Sequence, residues 1–196
     1  MLKEVYDEVY SGLDYGPVCT ARGLNLAVHL AQWLHPQKIL CVGSGNAYEA
    51  VWFMKKGWDT YTLDYHCPDV KILEGRQFQG AAQRIPFPDD SFHTLFSAEM
   101  LEHIPEDEID QVLNEFRRVA KYFYFTIDDE EDPPFNTHIC IHGIGWWIDK
   151  LEGIGFKIQT AQHKPRYVIK HDIGANNSVE RVVDYDRGML FHATRH

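Results

Sequence analysis

The stretch Lys38–Asp64, KILCVGSGNAYEAVWFMKKGWDTYTLD, constrains this chain more than any other. An apolar run, Ile39-Leu40-Cys41-Val42, leads directly into Gly43-Ser44-Gly45-Asn46. A helical pattern follows, and a second apolar run then closes on one acidic residue, Asp64. The order strand, glycine turn, helix, strand, carboxylate is how an open parallel sheet holds a nucleoside. Glycines let the backbone pass close to a ligand, and an acid ending the next strand accepts hydrogen bonds from ribose hydroxyls. A dinucleotide fingerprint would place a third glycine three residues after the second, to seat a pyrophosphate on the helix N-terminus. That position is Tyr48, and Glu49 beside it repels phosphate. No Gly-Lys-Ser/Thr phosphate loop is present either. A ligand with ribose and adenine but no phosphate fits these residues best, and S-adenosylmethionine is the common one.

The rest of the chain narrows the class. Its 196 residues suit one domain with a sizeable core, and 44% hydrophobic with 24% charged residues is ordinary for a soluble globular protein. We expect no membrane segment, since no apolar stretch approaches about 20 residues, and the opening Met1-Leu2-Lys3-Glu4 does not read as a signal peptide. The net charge of −10, with Lys and Arg scattered, argues against nucleic acid as a partner. Cys19, Cys41, Cys67 and Cys140 show no CxxC pairing and read as reduced thiols of a cytoplasmic protein.

Apolar spacing predicts helices over Lys3–Tyr10, Thr20–Leu34, Ala47–Lys56, Glu106–Ala120 and Gly145–Glu152. Strands are expected at Lys38–Val42, Asp59–Leu63, Arg76–Gln79, Phe92–Ser97 and Tyr122–Ile127, with two last ones near Arg166–Lys170 and Met189–Thr194. Alternating strands and helices imply a mainly parallel sheet covered on both faces.

From Ile39 to Phe156 the order of motifs resembles the class I S-adenosylmethionine-dependent methyltransferases, in particular their small-molecule and sugar-type (type 11-like) subgroup. Gly43-Ser44-Gly45 resembles the first motif of that family and Asp64 its ribose carboxylate. The segment Gly80-Ala81-Ala82-Gln83-Arg84-Ile85-Pro86-Phe87-Pro88-Asp89-Asp90-Ser91-Phe92 is similar to its G-D-A-x-x-L-P-F-x-D-x-S-F-D stretch. Ser97-Ala98-Glu99-Met100-Leu101-Glu102-His103-Ile104 resembles the fourth motif, and Asn136-Thr137-His138-Ile139 with Trp146-Trp147-Ile148 the segment after strand five. Three positions depart from the pattern: Cys41 stands where an acid is usual, Ala47 where the loop's third small residue falls, and Ala81 where an aspartate contacts the adenine amino group.

The resemblance implies a Rossmann-like α/β sandwich of three layers. Its seven-stranded, mostly parallel sheet has the order 3-2-1-4-5-7-6, with strand seven antiparallel and the ligand over the carboxyl ends. Residues 1–36 would form a helical lid region and 37–196 the core. It implies S-adenosylmethionine as cofactor, contacted by Gly43, Ser44, Gly45, Asp64, Tyr65, Ala81, Ala82 (with Gln83 as a neighbouring candidate) and Glu99. It also implies a small-molecule acceptor, with a hydroxyl of a sugar or related metabolite as first expectation. Candidate bases for a hydroxyl acceptor are His103, His138 and His142. In an extended stretch His138, Cys140 and His142 share one face, so a metal held by these three competes with a base there. Three ligands from one strand are sterically awkward, and no metal is assigned. The acidic run Asp128–Asp132 reads as a solvated loop that, facing the mouth, disfavours anionic acceptors. A cofactor-binding protein without methyl transfer is the alternative, suggested by Cys41 and Ala81; a nicotinamide-dependent oxidoreductase is the weaker third, opposed by Tyr48.

Overall fold

Short strands buried on both faces build the centre of the molecule, and a computed structural model describes residues 21–67, 71–174, 177–184 and 188–195. Strand β1 (Lys38–Val42) is buried from Ile39 onward and lies between β2 (Asp59–Asp64) and β4 (Thr94–Ala98), parallel to both. β3 (Gln77–Gln79) extends the sheet beyond β2, and β5 (Tyr122–Ile127) lies beyond β4. The other edge is β6 (Phe156–His163), joined to β5 through the antiparallel β9 (Met189–Arg195). The seven-stranded order β3-β2-β1-β4-β5-β9-β6 is the one expected, with its last strand antiparallel.

Alternation along β1 sorts the core into two faces. Ile39 and Cys41 pack with α1 (Ala21–Trp33) and α2 (Tyr48–Lys55) in a cluster that includes Leu26, Phe53, Trp58 and Phe96. Leu40 and Val42 face the larger cluster with Phe116, Phe123, Phe125 and Trp147, under α3 (Ile109–Val119) and α4 (Ile144–Ile154). Of the 1–36 region only α1 and the residues after it are described, and Leu26, Ala27 and Leu30 of α1 are buried in the sheet-facing core. The Lys3–Tyr10 helix lies outside the described residues.

One strand assignment is corrected. The sheet's penultimate strand in sequence is β6, Phe156–His163, whereas Arg166–Gly174 forms β7 and pairs antiparallel with β8 (Asn177–Asp184) in a separate hairpin. As an edge strand bonded on one side only, β6 keeps Lys157, Gln162 and His163 among its residues and lacks the apolar density that marks an inner strand. Among the described residues no helix is long and apolar enough to cross a membrane.

Phe53 is fully buried, with ring centroids 5.1 Å from Trp58 and 5.4 Å from Phe96. Truncating it to alanine leaves a cavity in the layer behind the glycine loop. Phe53→Ala should destabilise the fold by about 3–5 kcal/mol, measured by urea unfolding.

Candidate active site

Strand β1 ends at Val42, and the chain must turn at once to start α2. Gly43 (φ +69), Gly45 (φ +47) and Ala47 (φ +59) make that turn in left-handed backbone conformation. At Gly43 glycine is required twice over, because a Cβ there would lie 2.3 Å from Met100 Cγ. The Gly43 N–H donates to Leu63 O at 2.9 Å, which joins the loop to the end of β2. Asp64 completes the joint: its Oδ2 accepts from the Gly45 N–H and its Oδ1 from the His66 N–H, both at 2.8 Å. Burial pushes the Asp64 carboxyl above its ordinary range, and these backbone donors pull it partly back.

A cleft opens at the carboxyl ends of β1, β2 and β4, the usual ligand position in such sheets. Of the residues expected to touch cofactor, Gly43, Asp64, Tyr65, Ala82 and Glu99 line it. Gly45 is tied to Asp64, Ser44 is buried within the turn and accepts from the Ala47 N–H, and Ala81 precedes the lining residue Ala82. Glu99 ends β4 with φ +53, a left-handed conformation that is costly for a residue with a Cβ and typical of functional sites. Gln83 also lines the cleft; its Nε2 donates to Glu108, and its Oε1 is buried without a hydrogen-bond partner. The loop carrying Ala82 and Gln83 is held by Arg118, whose guanidinium donates to Ile85 O and Phe87 O and pairs with Glu115 and Asp89.

Of the three histidines, His103 lines the cleft. Its Nδ1 lies 3.0 Å from Thr137 O, and burial, then the neighbouring His138, push its pKa down to about 4. His138 stands edge-on to it at 4.7 Å between ring centroids, with Nδ1 2.6 Å from Glu130 O. His142 points elsewhere: Nε2 is 2.9 Å from Glu106, and the ring stacks on Trp146 at 3.8 Å. The shared face expected for His138, Cys140 and His142 does not form. Cys140 is buried in the core, and both the Ile139 and Cys140 N–H groups donate to Glu102 O, which bends the segment away from regular extension.

The acidic run is solvated only in part: Glu130 and Glu131 are exposed, whereas its three aspartates are tied down. Asp128 is 1% exposed, and Asp132 accepts from the N–H groups of Thr137 and His138 and from the Thr137 hydroxyl. Asp129 accepts from the Gly188 N–H at 2.8 Å and faces His163 Nε2 at 2.6 Å. Burial acts to raise the carboxyls of Asp129 and Asp132, but these donors hold both below the usual range.

Sequence reasoning gave Glu49 only the role of repelling phosphate and missed its place in the site. This carboxylate, in the first turn of α2, is buried beside Cys41 and close to Asp64. It brings an acid to the region where Cys41 omits one. A buried polar residue one turn into the helix after the glycine loop was the available signal.

A family model described as a methyltransferase domain matches residues 40–122. Three solved structures align over nearly the whole chain. A 1,6-didemethyltoxoflavin-N1-methyltransferase of Burkholderia thailandensis, with 1,6-didemethyltoxoflavin and S-adenosylhomocysteine bound, is 16% identical with TM-score 0.70, over 98% of this chain and 87% of that one. A protein of Pyrococcus horikoshii is 15% identical with TM-score 0.69, over 96% and 99%. An S-adenosylmethionine-dependent methyltransferase of Thermotoga maritima is 13% identical with TM-score 0.67, over the full length of both chains. No curated protein matches in sequence. The methyltransferase-domain model thus spans the stretch from β1 to the start of β5, and the fold is that of the class I S-adenosylmethionine-dependent methyltransferases.

Burial, and then the nearby Asp64, raise the Glu49 pKa from 4.5 to about 8. The folded protein therefore keeps a proton on Glu49 between those values while the unfolded chain has lost it. The resulting stability is fully present below about pH 4.5 and is lost as pH rises through about 8. Glu49→Gln should change the thermal midpoint little near pH 4.5 and raise it near pH 8.5 by at least about 2–4 °C, roughly 1 kcal/mol, in differential scanning fluorimetry.

Proposed function

We propose that this protein moves the methyl group of S-adenosylmethionine to a hydroxyl of a small molecule, a sugar or related metabolite, that enters beside His103. The observation that carries this reading is one cleft lined by Gly43, Asp64 and Glu99, with the backbone of the glycine loop pinned to the Asp64 carboxylate. In this reading the lone pairs of Asp64 not used by Gly45 and His66 accept from the ribose hydroxyls. Tyr65 covers the adenine, and the unsatisfied Gln83 Oε1 accepts from the adenine amino group in place of the aspartate that Ala81 replaces. Glu99 faces the ammonium of the amino-acid end. The free, buried thiols of Cys41 and Cys140 fit the cytoplasmic setting expected from the sequence.

A sulfonium methyl is already a strong electrophile, so alignment with the acceptor does most of the work. Holding two reactants in attack geometry is worth on the order of 7–11 kcal/mol. Among the candidate bases, His103 is neutral at physiological pH but, at about 4, a weak proton acceptor. It suits hydrogen bonding to the acceptor better than full deprotonation. Cofactor binding without transfer, the alternative, loses force because Glu49 stands in the region of the missing acid.

Titration calorimetry with S-adenosylmethionine and S-adenosylhomocysteine tests the reading. Both should bind, and Asp64→Ala should weaken both about 10- to 100-fold, the worth of hydrogen bonds to a charged group. Absence of binding by the unaltered protein, or an unchanged affinity in Asp64→Ala, would sink it.

A further inference from the structure

Glu102 is fully buried on the short 3-10 turn Leu101–His103, one turn past the end of β4. Its Oε1 accepts from the Asp128 N–H at 3.0 Å, but its Oε2 is buried with no hydrogen-bond partner. Leaving such an oxygen unpaired costs about 1–3 kcal/mol, more if it is ionised. One donor atom from each of Glu102, His103 and His138 lies within 4.8 Å of the other two. In both rings Nδ1 faces a backbone carbonyl, Thr137 O for His103 and Glu130 O for His138. A ring that donates from Nδ1 keeps its electron pair on Nε2, and a carbonyl behind the ring is the support that metal-bound histidines have. Asp132 fixes the turn that presents His138, through the N–H groups of Thr137 and His138.

We propose that Glu102, His103 and His138 form a binding site for one divalent first-row transition-metal ion in the wall of the cleft, with open positions toward two neighbouring oxygens of the acceptor. Two imidazoles and one carboxylate are a borderline ligand set, suited to Mn²⁺, Co²⁺ or Zn²⁺ and too nitrogen-rich for Mg²⁺ or Ca²⁺. Bonds of about 2.0–2.2 Å keep two ligand atoms within roughly 4.4 Å of each other, so small side-chain rotations close the site. The placement of the acids also favours a cation: Glu102 is fully buried next to Asp128, itself 1% exposed, and Glu102 Oε1 accepts from the Asp128 N–H. An ion would bring positive charge to these buried acids.

The ion's role extends the methyl-transfer reading and rests on it: a metal-bound hydroxyl loses its proton near neutral pH, so an acceptor held there needs no strong base beside it. The ligand set itself stands independently of that reading.

Titration of the metal-stripped protein with Co²⁺, followed by its visible absorption and by calorimetry, and repeated with Mn²⁺ and Zn²⁺, tests the site. One ion per chain should bind. Glu102→Gln and His138→Ala should each weaken it at least tenfold, while His93→Ala, whose ring stacks on Tyr122 at the amino ends of β4 and β5, should leave it unchanged. Half-buried His138 keeps the test valid if the Glu102 variant fails to fold by circular dichroism. No bound ion, or equal affinity in both variants, overturns the site. A protein that binds S-adenosylmethionine but no ion refutes this inference alone, and one that binds the ion but no cofactor refutes the methyl-transfer reading and leaves the site standing.

Discussion

One carboxylate holds the ligand side of the sheet together. Asp64 ends β2, and each of its two oxygens accepts one backbone N–H, from Gly45 on the loop after β1 and from His66 on its own strand's continuation. Two neighbouring strands and the turn between β1 and α2 are locked by this single group. The left-handed backbone at Gly43, Gly45 and Ala47 is tolerable because the far end of the loop is tied down in this way. The position of Gly43, and so the depth of the cleft floor, follows from it.

The opposite wall is built by a second set of ties. The turn after β4 and the loop after β5 lace together: Asp128 N–H to Glu102, Ile139 and Cys140 N–H to Glu102 O, and His103 to Thr137 O. Asp132 then fastens residues 137 and 138 from within the loop. Polar groups do here what an apolar core does elsewhere. A hydrogen-bonded wall keeps its donors and acceptors at fixed positions, whereas apolar packing alone tolerates sliding.

Much of the fold was legible because its signals are local. β1 and β5 announce themselves by dense apolar runs, β2 by its β-branched and aromatic residues, and Gly43 and Asp64 by their positions at strand ends. Position in the pattern also marked Tyr65, Ala82, Glu99 and His103 as cleft residues. What escaped depends on contacts distant in sequence. Edge strand β6 has no apolar alternation to reveal it, and its true partner, β9, begins 26 residues after β6 ends, beyond a whole hairpin. The acid run Asp128–Asp132 carries the composition of a solvated loop, and only the donors at Thr137, His138, Gly188 and Glu130 make it structural. Arg118, a cation in the last turn of α3, proves to be a clamp on the Ile85–Asp89 loop, 29 to 33 residues away. His142 shares a short sequence window with His138, but the bend at Ile139 and Cys140 sends the two rings to different neighbours.

The hairpin β7–β8 leaves the sheet after β6 and returns to it at β9. Because β6 runs parallel to β5, that departure is on the same rim as Asp64 and Glu99, and Asp129 staples the hairpin's base through His163 and Gly188. Extra chain has thus been added where it can grow over the ligand without disturbing any strand pairing. Related domains can vary this outgrowth in length and sequence while the scaffold beneath stays the same, which separates the evolution of selectivity from the upkeep of the core.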